Sequence, residues 1–114
     1  MTLRRLSVDA VPGSLPVCIC AGFWSRLRGY GFGWGGQRGV WLLSCAAVHT
    51  LWPWQPIDVV FVGRDGRVLR VCAALRPGRV RWCLGADGVL ELPAGRAAAL
   101  GIRPGSHLSL CHGE

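Results

Sequence analysis

Lysine is absent from this chain of 114 residues. The basic set of 13 residues is arginine throughout, against six acids, for a formal net charge of +7. An arginine-only set offers planar, permanently charged donors suited to phosphate or carboxylate groups. Ala, Gly and Pro are also abundant, however, so GC-rich coding explains the same usage, and this plainer origin is preferred. Charged residues are scarce at 17%, while hydrophobic residues make up 51%. That balance excludes a disordered chain, and the length suits one domain with a real core. Long apolar runs are missing: stretches such as 40–43 and 59–62 fall far short of the ~20 residues that a spanning helix needs. A secretory leader is not legible either, because Asp9, Pro12, Gly13 and Pro16 interrupt the stretch after Arg4 and Arg5. The expectation is a soluble, cytoplasmic, monomeric protein without membrane insertion.

Cys-x-x-Cys spacing is also absent. The six cysteines are Cys18, Cys20, Cys45, Cys72, Cys83 and Cys111, and they lack the usual zinc and thioredoxin-like patterns. Most sit in apolar settings and read as small core residues of a reducing compartment. No cofactor and no structural metal are expected. His107 and Cys111 would lie ~13 Å apart on one strand face, at about 3.3 Å per residue, too far to grip one ion.

What is present reads as strands and turns. Residues 1–15 suggest an irregular arm or a poorly formed edge strand, and 16–114 a single domain. Short strands are predicted at 17–21, 40–43, 59–62, 68–73, 80–84, 89–92 and 107–111. Asp65-Gly66 is the strongest hairpin signal, and Arg76-Pro-Gly-Arg79 marks another turn. Residues 23–29 suggest one amphipathic turn of helix. The alanine-rich stretch 94–100 predicts a short helix, with Gly101 in the left-handed position after it. Between 29 and 39 lie six glycines with Tyr30, Phe32 and Trp34, a composition that resists regular structure.

Two segments share a pattern. One runs from Cys45 through Val48-His49-Thr50 and Pro56-Ile57-Asp58-Val59-Val60-Phe61 to Asp65-Gly66. The other is Val89-Leu90-Glu91-Leu92-Pro93-Ala94-Gly95, followed by Leu100-Gly101-Ile102 and Pro104-Gly105. With Arg26-Leu27-Arg28-Gly29 as an opening motif, the chain from about 26 to 110 resembles the bacterial and archaeal family known as domain of unknown function 192. The resemblance implies a mostly β (α+β) fold: a compact, barrel-like sheet of about six or seven short strands with one or two short helices. It implies no established enzymatic activity. Some relatives carry secretory or lipoprotein signals, which this sequence does not display, and some are encoded near pilus or secretion genes. Two departures stand out. Leu51-Trp52-Pro53 replaces the Phe-Gly-Met that usually follows His-Thr, and the glycine-aromatic loop replaces a leucine-rich stretch. The turn that would carry a ligand is therefore rebuilt here.

Four polar residues and several tryptophans are the candidate binding groups: His49, Thr50, Asp58 and Glu91, with Trp34, Trp52 and Trp54. A carboxylate beside the apolar run 59–62 must find water, backbone donors or a partner, because unpaired buried charge is costly. His49 oriented by Asp58 would be a recurring base or ligand arrangement. The plainer reading has Asp58 accepting backbone bonds from the turn 49–56, or from His49. Pro53 and Pro56 carry no amide proton in that turn. Glu91 shares a strand face with Val89 and points away from its leucine neighbours. Exposed tryptophans suit sugars, bases or a proline-rich peptide; the alternative is that they plug one end of the sheet. Trp41 is expected in the core.

Catalytic residues are not identifiable from these patterns. The preferred reading is a small non-enzymatic binding or accessory domain for an unknown protein or small-molecule ligand, with its surface at 30–34 and 49–58. The first alternative is a hydrolase or metal-dependent enzyme using His49, Asp58 and Glu91. The second is a weak nucleic-acid binder using Arg64, Arg67, Arg70, Arg76, Arg79 and Arg81 with Trp82. It rests on charge alone, and no specific nucleic acid is expected.

Overall fold

The apolar run that follows Pro56 sets the centre of the fold. The computed structural model describes residues 2–8, 15–20, 39–43, 47–49 and 56–111. In chain order the elements are β1 (Thr2–Val8), β2 (Leu15–Cys20), β3 (Gly39–Leu43), β4 (Ala47–His49), β5 (Ile57–Gly63), β6 (Val68–Leu75), β7 (Val80–Trp82), β8 (Ala86–Pro93), α1 (Arg96–Ala99) and β9 (Leu108–Cys111). In β5 every side chain from Ile57 to Val62 is buried. Strand side chains alternate between faces, so this strand must be covered on both. It lies between β6 and β8, antiparallel to each.

The main sheet has seven strands in the order β6-β5-β8-β3-β2-β1-β9, with β4 and β7 paired in a separate ladder. The β2–β3 pairing is parallel and the other described pairings are antiparallel. The mostly β class is as expected, but the sheet is not closed into a barrel. Its edges, β6 and β9, meet among the described residues at a single bridge, Arg67 to His107. A short seam surrounds the bridge. Val68 N–H donates to Ser106 O at 2.8 Å, Gly105 N–H to Val68 O at 2.9 Å, and Leu108 N–H to Gly66 O at 2.8 Å. His107 Nε2 lies 2.7 Å from Asp65 O.

Two elements differ from the sequence reading. Residues 2–8, expected in an irregular arm, form β1, which pairs with β2 on one side and β9 on the other. Leu6 there is fully buried. The polar and basic residues of β1 hide its alternation, and its partner β9 lies about 100 residues further along the chain. β4 also went unread, since three residues carry almost no periodic signal. The expected helix at 94–100 is a single turn, Arg96–Ala99, and Gly101 follows it at φ +73°. The helical turn expected at 23–29 and the glycine loop up to residue 38 lie outside the described residues.

The curled sheet has a core on each face. The inner core gathers Leu6, Val8, Val17, Trp41, Val60, Val62, Val68, Leu90, Leu92, Ala97, Ile102 and Leu108. The outer core is smaller: Ile57, Val59, Phe61, Leu75 and Val89, with Cys72, Cys83 and Ala86 packed against it. Trp41 is buried as expected, opposite Leu90. Its indole atoms lie only 3.2–3.3 Å from where a Cβ on Gly88 would stand. The missing side chain at Gly88 is what seats the ring.

The seam makes a prediction. Gly66 has φ +90°, and a Cβ there would sit 2.5 Å from Leu108 O, whereas Gly78 has φ +82° with open space around it. Gly78→Ala should cost only the left-handed strain, ~1 kcal/mol. Gly66→Ala must also push the β9 backbone away, adding ~2 kcal/mol or more from the clash and the strained seam bond. Urea unfolding of both variants checks this; equal losses would show that the seam contributes nothing to stability.

Candidate functional site

Asp58 is the polar residue most deeply embedded in the sheet, with 1% of its surface exposed. It sits on the inner face, directly opposite Leu92. Its carboxylate is engaged by backbone on two sides. Oδ1 accepts from Ala74 N–H at 2.8 Å, and Oδ2 accepts from Ala97 N–H at 2.9 Å. The first donor exists because β6 is bulged. Ile57 opposes Leu75 and Val59 opposes Cys72, so Asp58 faces two residues, Ala73 and Ala74. Ala74 takes φ +49°, the one non-glycine positive φ among the described residues. A bulge frees an amide from the ladder, and that amide turns to Asp58. The second donor belongs to the first turn of α1, whose N-cap is Gly95 and which has no side-chain cap of its own. Asp58 therefore caps α1 from a neighbouring strand. Sequence reasoning sought the donors in the turn 49–56; among the described residues they stand 16 and 39 positions away.

Glu91 is also buried, at 6% exposure. It is opposite Val59 in β5 and Val40 in β3. Because Asp58 pairs with Leu92 and Val59 with Glu91, the two carboxylates point to opposite faces of the sheet. They do not form a paired-carboxylate centre, which removes the arrangement on which a two-acid hydrolase would depend.

His49 ends β4, where its backbone pairs with Val80 of β7; its side chain lies outside the described residues. Trp34, Thr50, Trp52 and Trp54 lie outside them too. Among the described residues no group of three His, Cys, Asp or Glu is arranged to hold a metal ion. Cys72 and Cys83 are free, half-buried thiols. No described helix is long and apolar enough to cross a membrane.

A feature of the exterior carries more information. Beside the outer core, Val80 is 55% exposed, Trp82 61% and Leu84 93%, with Leu69 at 38%. Leu69 Cδ1 lies 3.6 Å from a Cβ position built on Gly63 and 3.8 Å from one on Gly85. The turn at Leu84–Gly85 and the hairpin turn at Gly63–Arg67 thus stand side by side. Arg70 Nη1 donates to Trp82 O at 2.8 Å, and Arg81 Nη1 to Val80 O at 2.7 Å. Two guanidinium groups are so held on β7 while Val80 and Trp82 face solvent. From the sequence, Trp82 reads only as a companion of the arginines. Val80 and Leu84 were missed because an apolar residue in a short strand reads as core.

The fold and site define a class: a small, seven-stranded, incompletely closed β sheet with a one-turn helix tied to it by a buried aspartate. The chain belongs to the family called domain of unknown function 192, described as "Uncharacterized ACR", whose model matches residues 13–110. It is similar to a crystal structure of a protein of unknown function from Novosphingobium aromaticivorans. The TM-score is 0.80 at 25% identity, covering 94% of this chain and 84% of the other. It is similar also to a Sinorhizobium meliloti protein described as "a putative transcription regulator", with TM-score 0.83 at 20% identity, covering 96% and 94%. The comparison with curated proteins finds no match.

Substitutions at Asp58 test its place in the fold. Asp58→Asn keeps one acceptor but turns an NH2 group on the other amide, costing ~2 kcal/mol. Asp58→Ala leaves the buried Ala97 donor and the partly buried Ala74 donor unpaired, costing ~3 kcal/mol. Urea unfolding gives the energies, and hydrogen exchange at the Ala74 and Ala97 amides should quicken in both variants. An Asp58→Ala protein as stable as wild type would contradict the assignment.

Proposed function

We propose that this protein is a small non-enzymatic binding or accessory domain, monomeric and cytoplasmic, that engages its partner through exposed side chains on the outer face. One observation carries the reading: the carboxylate of Asp58, the best acid available to chemistry, is buried and bonded to two backbone amides. A group committed in this way lacks the freedom a general base needs to reach a substrate proton. Glu91, on the other face, is no substitute partner. The exposed Val80, Trp82 and Leu84, by contrast, form the apolar exterior that marks an interaction site. An accessory role beside pilus or secretion machinery is the finer form of this reading and draws only on the resemblance to relatives encoded near such genes.

A second reading, nucleic-acid binding, is favoured by the exposed Trp82 on a strand whose carbonyls hold the Arg70 and Arg81 guanidinium groups. The Sinorhizobium meliloti protein gives it a nominal precedent, although at 20% identity that likeness carries the fold alone. Trp82 is the one exposed large aromatic among the described residues, and with aliphatic neighbours it makes a poor stacking platform. Binding to an oligonucleotide should therefore be weak and should fade at physiological salt.

Turnover assays on ester, phosphoester and peptide substrates test the first reading. Wild type, His49→Ala and Asp58→Asn should be equally inactive. A hydrolysis that wild type performs and that His49→Ala or Asp58→Asn abolishes at unchanged thermal stability would replace this reading with the enzymatic one. Tight, sequence-selective oligonucleotide binding at physiological salt would replace it with the second.

A further inference from the structure

The apolar exterior lies where three loops and strands meet. Leu84 stands at the middle of the connection 83–85 between β7 and β8 and is almost wholly exposed, and Val80 and Trp82 line β7 beside it. Leu69 fills the space between this turn and the β5–β6 hairpin. Arginines flank the group at both ends: Arg64 and Arg67 on the hairpin, Arg81 on β7 and Arg70 reaching β7 from β6, with Arg79 preceding β7. Asp65 and Asp87 are the acids nearest in sequence. Asp65 is turned to its own loop, accepting from Arg67 N–H at 3.0 Å and lying 4.0 Å from Arg67 Nε.

Three occupants fit an apolar group ringed by positive charge, and the geometry separates them. A strand added to β7 needs its outer carbonyls, but Arg81 and Arg70 already donate to Val80 O and Trp82 O. Those bonds block β-augmentation. A nucleic acid needs successive aromatic faces, and the described patch has one. A lipid surface needs something else: apolar side chains projecting from a tip, a tryptophan at headgroup depth, and cations beside them to meet anionic headgroups. Leu84 and Trp82, with Arg64, Arg67, Arg70 and Arg81, match that requirement.

We propose that the Leu84 turn and the solvent face of β7 form a peripheral docking surface for anionic lipid headgroups. Leu84 and Trp82 enter the interfacial layer, and Arg64, Arg67, Arg70 and Arg81 engage the headgroups. Docking of this kind lies on the membrane and does not span it. It deepens the proposed binding role and rests on it, naming the partner of that surface.

Co-sedimentation with vesicles tests the proposal, comparing phosphatidylcholine alone with phosphatidylcholine mixed with phosphatidylglycerol. Wild type should partition onto the mixed vesicles and not onto the neutral ones. Leu84→Asn should weaken partitioning about tenfold, as loss of a buried leucine implies, while Leu84→Met should restore it. Arg64→Gln should weaken it about fivefold. Both sites are exposed, so all variants should melt like wild type. No enrichment on phosphatidylglycerol vesicles would overturn the proposal. So would equal binding by Leu84→Asn and wild type, which would signify plain adsorption of a basic protein. A single-stranded oligonucleotide that binds more tightly than the vesicles and loses affinity with Trp82→Ala would assign the surface to nucleic acid. Failure here leaves the non-enzymatic reading standing, because the turnover assays decide that separately.

Discussion

The carboxylate of Asp58 is the contact on which the arrangement of β5, β6 and α1 depends. Bulging a strand and starting a helix each leave an amide without a ladder partner; the Ala97 amide is buried and the Ala74 amide partly so. One carboxylate has two acceptor oxygens, enough for both. Placed at the first buried inward position of β5, Asp58 satisfies the β6 bulge with one oxygen and the first turn of α1 with the other. The left-handed Ala74 is held by the same bond, and a four-residue helix too short to persist alone is fixed against the sheet. A buried charge is costly when unpaired, and here each oxygen has a charge-assisted bond to offset that cost.

The same strand explains why the fold has two cores. β5 is apolar on both faces, so it requires a cover on each. The inner cover is the rest of the curled sheet with α1. On the outer side, Cys83 of the β7–β8 connection and Ala86 at the start of β8 pack against Phe61 and its neighbours. This thin cover has a consequence at the surface. A segment holding down a small core cannot bury both of its own faces, and Val80, Trp82 and Leu84 are left pointing outward. The exposed apolar group follows from the architecture, and the arginines around it determine the sign of the surface it can meet.

Much of the fold was legible in the sequence. The runs at 59–62, 68–73 and 89–92 predicted β5, β6 and β8, Asp65-Gly66 predicted their hairpin, and the alanines before Gly101 predicted a helical turn. These signals are local, set by side-chain alternation and by backbone conformations that glycine alone adopts readily. Glu91 sharing a face with Val89 was legible for the same reason, and the family pattern could be read from Glu-Leu-Pro-Ala-Gly and the residues around Asp58. The seating of β1 between β2 and β9 was not legible, because pairing between segments a hundred residues apart leaves no mark on either one.

The sequence by itself determined that an acid stands where an apolar strand begins, and that the helix after Pro93 opens without Ser, Thr, Asp or Asn to cap it. Each was an incomplete statement: an acceptor lacking donors and donors lacking an acceptor. Only the tertiary structure decided that they complete each other, because their separation of 39 residues closes when β8 pairs with β5. It also decided that Asp58 and Glu91 face away from one another, since that follows from the register between two strands and from no property of either residue. And it decided which apolar residues remain outside, because burial depends on what packs over a side chain, and that is a property of the assembled sheet.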